Sequence, residues 1–267
     1  WSCKKSWRYK IFDSLMNIKN IKKNQFKNKN ILITGCTKGI GKSLTIMLSQ
    51  LGANVIMLSR NEKEMDELYD LMKDEYHTEP CILKCDLNSL DEEKAKEIAN
   101  IVLEHYKSLD GIVFNAAILD KMSNIEGFDL KTWQKVINVN LTSSFILSKH
   151  LIPLIQKSLS PRIIFTTSGI SKKAKAFWGP YAVSKAGINA LADILIDELE
   201  PVSDIRIFNF NPKATRTDMR SIAYPAENPS KIKKPEDLMD YYLWMLSSES
   251  KSYQGNHIEY ESKEFTK

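Results

Sequence analysis

From residue 31 onward, short apolar runs alternate with amphipathic stretches along the whole chain. Ile31, Leu32 and Ile33 stop abruptly at Thr34-Gly35; after Gly39 and Gly41 the apolar positions recur at Leu44, Met47, Leu48 and Leu51. Spacings of three and four follow a continuous run, so the pattern predicts strand, tight turn, helix. The same logic places further strands at 53–59, 81–85, 111–114, 162–166 and 205–210, with a short seventh at 254–260. Helices are expected at 62–76, 91–107, 130–157 and 181–200. Strands separated by helices, repeated in this way, predict a single α/β domain: a doubly wound, Rossmann-like sheet of about seven parallel strands with helices on both faces. Ligands of such sheets sit beyond the carboxyl ends of the strands.

Composition narrows the class. A chain of 267 residues is long enough for one large domain, and an apolar fraction of 43% is ordinary for a globular protein. No run of eighteen apolar residues exists, so no membrane span is expected. Four cysteines at 3, 36, 81 and 85 are too scattered for a disulfide framework, and Cys81-x-x-x-Cys85 lacks a second Cys/His pair for zinc. No metal site is expected, and a reducing, cytoplasmic setting fits best.

The net charge of +5 divides unevenly. Residues 1–30 carry nine Lys/Arg against one acid, Asp13, which leaves 29 basic and 32 acidic residues for the remainder. The body is therefore near neutral, and residues 1–29 read as a basic, flexible leader ahead of a folded domain over 30–267. Organellar targeting is the sharper alternative for that leader, whose first residue is Trp, as expected of a fragment or a processed product. No nucleic-acid partner is expected, because the basic excess lies outside the folded body.

The first glycine-rich turn carries the first candidate chemistry. Glycines let backbone approach a pyrophosphate, and N–H groups at a helix start supply partial positive charge. Gly41-Lys-Ser43 also ends the phosphate-loop pattern, but that pattern needs glycine at position 36, which is Cys. The ordinary Gly-x-Gly-x-x-Gly fingerprint fails too, since the spacing is Gly-x-x-x-Gly-x-Gly. At the end of the second strand an acidic residue would select NAD; the chain has Ser59-Arg60-Asn61 instead, and Lys38 can reach the same 2′-phosphate. NADP (NADPH) is the expected cofactor. Tyr181 and Lys185 lie four apart on a helix and share a face, so an ammonium there would favour the phenolate and lower the phenol's pKa toward that of a general acid/base. Ser168, thirteen residues earlier, would polarise a carbonyl.

The glycine spacing after Thr34, together with Asn140, Ser168, Tyr181 and Lys185 at their separations, resembles the short-chain dehydrogenase/reductase family. The resemblance covers roughly residues 30 to 260 and is nearest to a bacterial branch close to the 3-oxoacyl-carrier-protein reductases. It implies that Tyr181 is the proton donor in reduction, Lys185 lowers its pKa and binds the nicotinamide ribose, Ser168 orients the carbonyl, and Asn140 holds a relay water. It further implies cofactor contacts from Thr34, Gly35, Lys38, Gly39, Ile40, Gly41, Arg60, Asp86, Leu87, Asn115, Ala116, Tyr181, Lys185, Pro212 and Thr217. The expected activity is hydride transfer between NADP(H) and a carbonyl/alcohol substrate, a small molecule or a 3-oxoacyl thioester. A homodimer would form through the helices at about 130–157 and 181–200. A non-catalytic nucleotide-binding scaffold, and a nucleic-acid or membrane-surface binder acting through the leader, are the alternatives. Three departures bear on the carboxamide pocket: Phe114 and Ala117 flank Asn115-Ala116, and Lys213 stands where the family has glycine. Eight cations (Lys172, Lys173, Lys175, Arg216, Arg220, Lys231, Lys233 and Lys234) fall in sequence around the expected pocket mouth and lid at 217–234, a pattern suited to an anionic substrate.

Overall fold

In the computed structural model the described residues are 25–253 and 255–261. Seven strands form one parallel sheet in the order β3-β2-β1-β4-β5-β6-β7. They are β1 (Asn30–Thr34), β2 (Asn54–Ser59), β3 (Cys81–Lys84), β4 (Gly111–Phe114), β5 (Arg162–Thr166), β6 (Arg206–Asn211) and β7 (His257–Glu259). The central strands are apolar on both faces because helices cover both. Thus Ile31 and Ile33 of β1, with Val55 and Met57 of β2, pack into one core layer, while Leu32, Ile56 and Leu58 between them enter the other.

The first layer is closed by α1 (Gly39–Gln50), α2 (Glu62–Leu71) and α8 (Met239–Leu246), the second by α3 (Glu92–Tyr106), α5 (Ser143–Ile155) and α6 (Gly179–Leu199). The elements otherwise include α4 (Leu130–Ile137) and α7 (Asp218–Ala223). Helix starts are set by short polar side chains: Asp91 accepts from Lys94 N at 2.8 Å, and Asp129 accepts from Thr132 N at 2.7 Å. With β1 adjacent to β4, the chain leaves these two strands toward opposite ends of the sheet. A crevice opens above their carboxyl ends, and the site lies there.

Several expected boundaries shift. The segment 62–76 begins as α2 but ends in a π turn, Met72–Tyr76, closed by His77 in a left-handed conformation at φ 54°. The helix expected over 130–157 is divided by a second π turn, Asn138–Thr142, between α4 and α5. Gln254 and residues 1–24 lie outside the described set. Phe26, near the end of the expected leader, is buried in the first core layer, and Lys29 Nζ sits 2.9 Å from Asp110 Oδ1. The last five leader residues therefore pack with the body.

Candidate active site

The turn after β1 is shaped by two glycines. Gly35 has φ +66°, and a Cβ there would stand 2.9 Å from the Ala116 backbone; a Cβ on Gly41 would stand 2.1 Å from Gly35 O. Thr34 binds the two central turns together, its Oγ1 accepting from Asn115 N and Ala116 N at 3.0 Å each. Asn115 replies with Nδ2 donating to Thr34 O and Gly35 O at 3.3 Å. Helix α1 then starts at Gly39 with no side-chain cap, so its first N–H groups remain available to a ligand.

That helix start faces a cavity of about 680 Å³ running across the carboxyl ends of the sheet. Of the expected cofactor residues, Gly35, Lys38, Gly39, Ile40, Arg60, Asp86, Leu87, Asn115, Ala116, Pro212 and Thr217 line it; so do Ser168, Tyr181 and Lys185. Thr34, Gly41 and Asn140 stand behind the wall and shape it. Asn140, in the second π turn, is almost fully buried: its Oδ1 accepts from Ile118 N at 2.8 Å, and its Nδ2 donates to Ile118 O at 2.9 Å and Ser184 Oγ at 3.0 Å. The Asn140 amide thus clamps the segment after β4 rather than facing a ligand.

Tyr181 sits in the first turn of α6, packed in a small cluster with Ile170, Leu119, Val136 and Ala182. Burial pushes its phenol up to about 12, outweighing the opposite pull of the neighbouring Ser168 side chain. Lys185 is buried beneath, its Nζ donating to Thr166 O at 2.8 Å and lying 5.9 Å from the Tyr181 ring centroid. Desolvation pulls this ammonium down to about 8. Burial thus raises the phenol, against the expected lowering by Lys185, and desolvation is the largest effect on both groups. Fixed geometry, with a phenol, a hydroxyl and an ammonium on one wall, is what α6 and the end of β5 supply.

The outer wall was not legible from the motifs. Trp178 packs on Tyr181 (5.6 Å between centroids) and on Tyr224 (6.0 Å), while the Arg220 guanidinium lies 3.7 Å from the Tyr224 ring centre and is held by Glu227 at 2.6 Å. Ile118, Ile170 and Met219 add apolar surface. Their only signal in the sequence is adjacency to the motif residues. Of the eight cations expected at the mouth, Lys173, Lys175 and Arg220 line the cavity. Lys172 instead pairs with Glu259 at 2.9 Å, and Lys233 donates to Ala214 O at 2.6 Å. Lys213 holds the family glycine position in left-handed conformation at φ +52°, whereas Ala117 is absent from the left-handed residues.

Residues 29–228 match the family model described as short chain dehydrogenase. An oxidoreductase of Escherichia coli K12, YciK, is 32% identical over 234 residues, covering 88% of this chain and 92% of its own. A 3-oxoacyl-acyl-carrier-protein reductase of Rickettsia typhi is 29% identical over 236 residues, 85% of this chain and 92% of its own. Among solved structures, a short chain dehydrogenase of Shigella flexneri 2a complexed with NADP superposes with a TM-score of 0.85 at 32% identity, covering 89% of this chain and 99% of that one. Another, from Escherichia coli CFT073 and complexed with NADPH, gives 0.86 at 32% identity, covering 91% of this chain and 100% of that one. With the glycine turn, the parallel sheet and the Ser168–Tyr181–Lys185 wall in place, these matches lead to one conclusion: the chain belongs to the short-chain dehydrogenase/reductase family.

Proposed function

We propose that the protein is an NADP(H)-dependent oxidoreductase in which Tyr181 exchanges a proton with the oxygen of a carbonyl/alcohol pair. The observation that carries this reading is that Tyr181, Ser168 and Lys185 line one cavity, with the Lys185 ammonium 5.9 Å from the Tyr181 ring centre. The glycine cradle and the uncapped start of α1 suit a dinucleotide. When bound, its nicotinamide supplies or takes up the hydride. In the reductive direction a carbonyl oxygen within reach of Ser168 Oγ and Tyr181 Oη would be polarised by the first and protonated by the second. A phenol with its pKa near 12 is fully protonated at neutral pH and ready to donate. The buried ammonium of Lys185 then stabilises the phenolate left behind.

NADP(H) rather than NAD(H) follows from Arg60, exposed at the cavity edge with no carboxylate within ion-pair distance among the described residues, and from Lys38. Family structures complexed with NADP and NADPH support it. For the substrate, the apolar outer wall formed by Ile118, Ile170, Trp178 and Met219 and the cations Lys173 and Lys175, unpaired among the described residues, suit an acyl chain joined to an anionic carrier. A 3-oxoacyl thioester meets that description, and the likeness to the Rickettsia typhi reductase agrees with it. Leu130, Phe145, Val183 and Ile194 expose apolar surface along α4, α5 and α6, and we assign that face to a homodimer contact. The described residues include no helix long and apolar enough to cross a membrane.

Following NADPH absorbance with a 3-oxoacyl thioester and with a small neutral ketone across a salt series tests this reading. The thioester's kcat/KM should fall more steeply with ionic strength, and Lys173→Ala with Lys175→Ala should remove most of that slope. Equal slopes for the two substrates would refute an anionic carrier, and no NADPH oxidation with any carbonyl compound would count against the reductase itself.

A further inference from the structure

We propose that Glu64, just behind Lys38 at the rim of the cofactor cavity, is a specificity-determining residue: a carboxylate set against the 2′-phosphate, which restrains the preference for NADP(H) over NAD(H). This rests on the reading that Arg60 and Lys38 receive that phosphate. Glu64 belongs to the first turn of α2, fixed by its own N–H donating to Asn61 Oδ1 at 3.3 Å, directly after β2 and Arg60. Its side chain turns back toward the glycine turn, where Oε1 lies 3.5 Å from Lys38 Nζ and the charge is felt by the Cys36 thiol. The other oxygen, Oε2, is buried without a hydrogen-bond partner. Lys38 remains 66% exposed and Glu64 only 31%. The cation is free to swing toward a ligand; the carboxylate is not.

Two opposite effects decide the sign. Glu64 holds Lys38 near the cavity, which favours anion binding, but at 3.5 Å and with Lys38 largely solvated this contact is weak. Against it stands direct repulsion. A phosphate that Lys38 grips from its present position, 3.5 Å from Glu64 Oε1, comes within a few ångströms of the carboxylate, and the phosphate is close to a dianion. A partly buried, under-solvated carboxylate oxygen is screened less than a surface one. Repulsion therefore dominates, and it acts only on a ligand bearing the 2′-phosphate. A cofactor lacking that group meets Glu64 as a neutral ribose and is not opposed. Glu64 thus narrows the affinity difference that Arg60 and Lys38 create.

The test uses the full chain and two fragments without nicotinamide, 2′,5′-ADP and 5′-ADP, measured by isothermal titration calorimetry on wild type, Glu64→Gln, Glu64→Asp and Arg60→Ala. Glu64→Gln should bind 2′,5′-ADP about three- to tenfold more tightly with 5′-ADP unchanged, the gain shrinking as salt rises. Glu64→Asp, which keeps the charge, should stay near wild type. Unchanged or weaker binding of 2′,5′-ADP by Glu64→Gln, an equal gain for 5′-ADP, or the same gain in Glu64→Asp would each overturn the proposal. Arg60→Ala separates the layers: if it weakens 2′,5′-ADP while Glu64→Gln does nothing, Glu64 alone is wrong. If Arg60→Ala leaves 2′,5′-ADP binding untouched, the phosphate site beneath the proposal is wrong.

Discussion

Lys185 is an ammonium placed where solvent cannot reach it, 3% exposed with one hydrogen bond to Thr166 O. Its folded pKa of about 8 lies below the ordinary 10.5 of the unfolded chain. Between those two values the unfolded state holds more protons, so stability rises with pH across that window, and the full cost of burying the charge is present below it. A depression of that size corresponds to about 3 kcal/mol as an upper bound, part of which the Thr166 bond already offsets. Lys185→Met is therefore expected to be more stable than wild type at pH 7 by about 1–3 kcal/mol, with the gap closing by pH 10. Urea titrations at pH 7 and pH 9.5 check this; a Met variant less stable at pH 7 would mean that the ammonium is a net stabiliser. Such a residue makes sense when the charge serves the reaction, since a buried amine costs stability that a methionine would not. The type and spacing of Tyr181 and Lys185 were legible in sequence because four residues on a helix share a face. The sign of the phenol's shift was not. It depends on how dry the pocket is, and that is set by Leu119, Val136 and Ile170, which come from three other segments.

At the scale of elements, the turns matter more than the helices they join. The glycine turn and the turn after β4 are one unit, tied through Thr34 and Asn115 and packed so closely that Gly41 has no room for a side chain. Gly41→Ala should therefore lose about 2 kcal/mol or more of stability. It should also lose nucleotide binding, whereas an alanine at the neighbouring exposed Lys42 should lose neither. Thermal melts and titration with 2′,5′-ADP check both, and a fully stable, binding-competent Gly41→Ala would show that the cradle is looser than this geometry. The π turn at Asn138–Thr142 is the counterpart on the other side of the cavity, directing Asn140 inward to hold Ile118. From periodicity alone, 130–157 reads as one helix, because a single wide turn displaces the apolar pattern by one residue and is lost among ordinary scatter. The helices expected at 62, 91 and 181 begin within two residues of those positions, with Asp91 and Asp129 supplying caps that sequence can show, whereas α7 and α8 were not anticipated.

On the scale of the whole molecule, a doubly wound parallel sheet could be anticipated because strands joined by helices admit few topologies, and the order β3-β2-β1-β4-β5-β6-β7 realises one. Long-range pairing of charges could not. Lys172 finds Glu259 at 2.9 Å on the edge strand, and Lys233 donates to Ala214 O at 2.6 Å, so of eight cations in sequence only Lys173, Lys175 and Arg220 line the cavity, the last held by Glu227. Arg162 is the sharpest case. It begins β5, is fully buried, and donates from Nε to Ser247 O and Ser250 Oγ near the end of α8. A favourable cation at a helix carboxyl end explains it only once the two elements are seen to meet. What the assembled molecule presents is one crevice holding a dinucleotide cradle at one end and a phenol at the other. The claim that these form a single reaction site is tested most directly by single turnover with 4-deuterated NADPH and a carbonyl substrate, in wild type and in Tyr181→Phe. Deuterium should appear on the carbinol carbon with wild type. Transfer should fall by about 10²–10⁴-fold in Tyr181→Phe, with 2′,5′-ADP binding retained. Undiminished deuterium transfer in the phenylalanine variant would contradict the account.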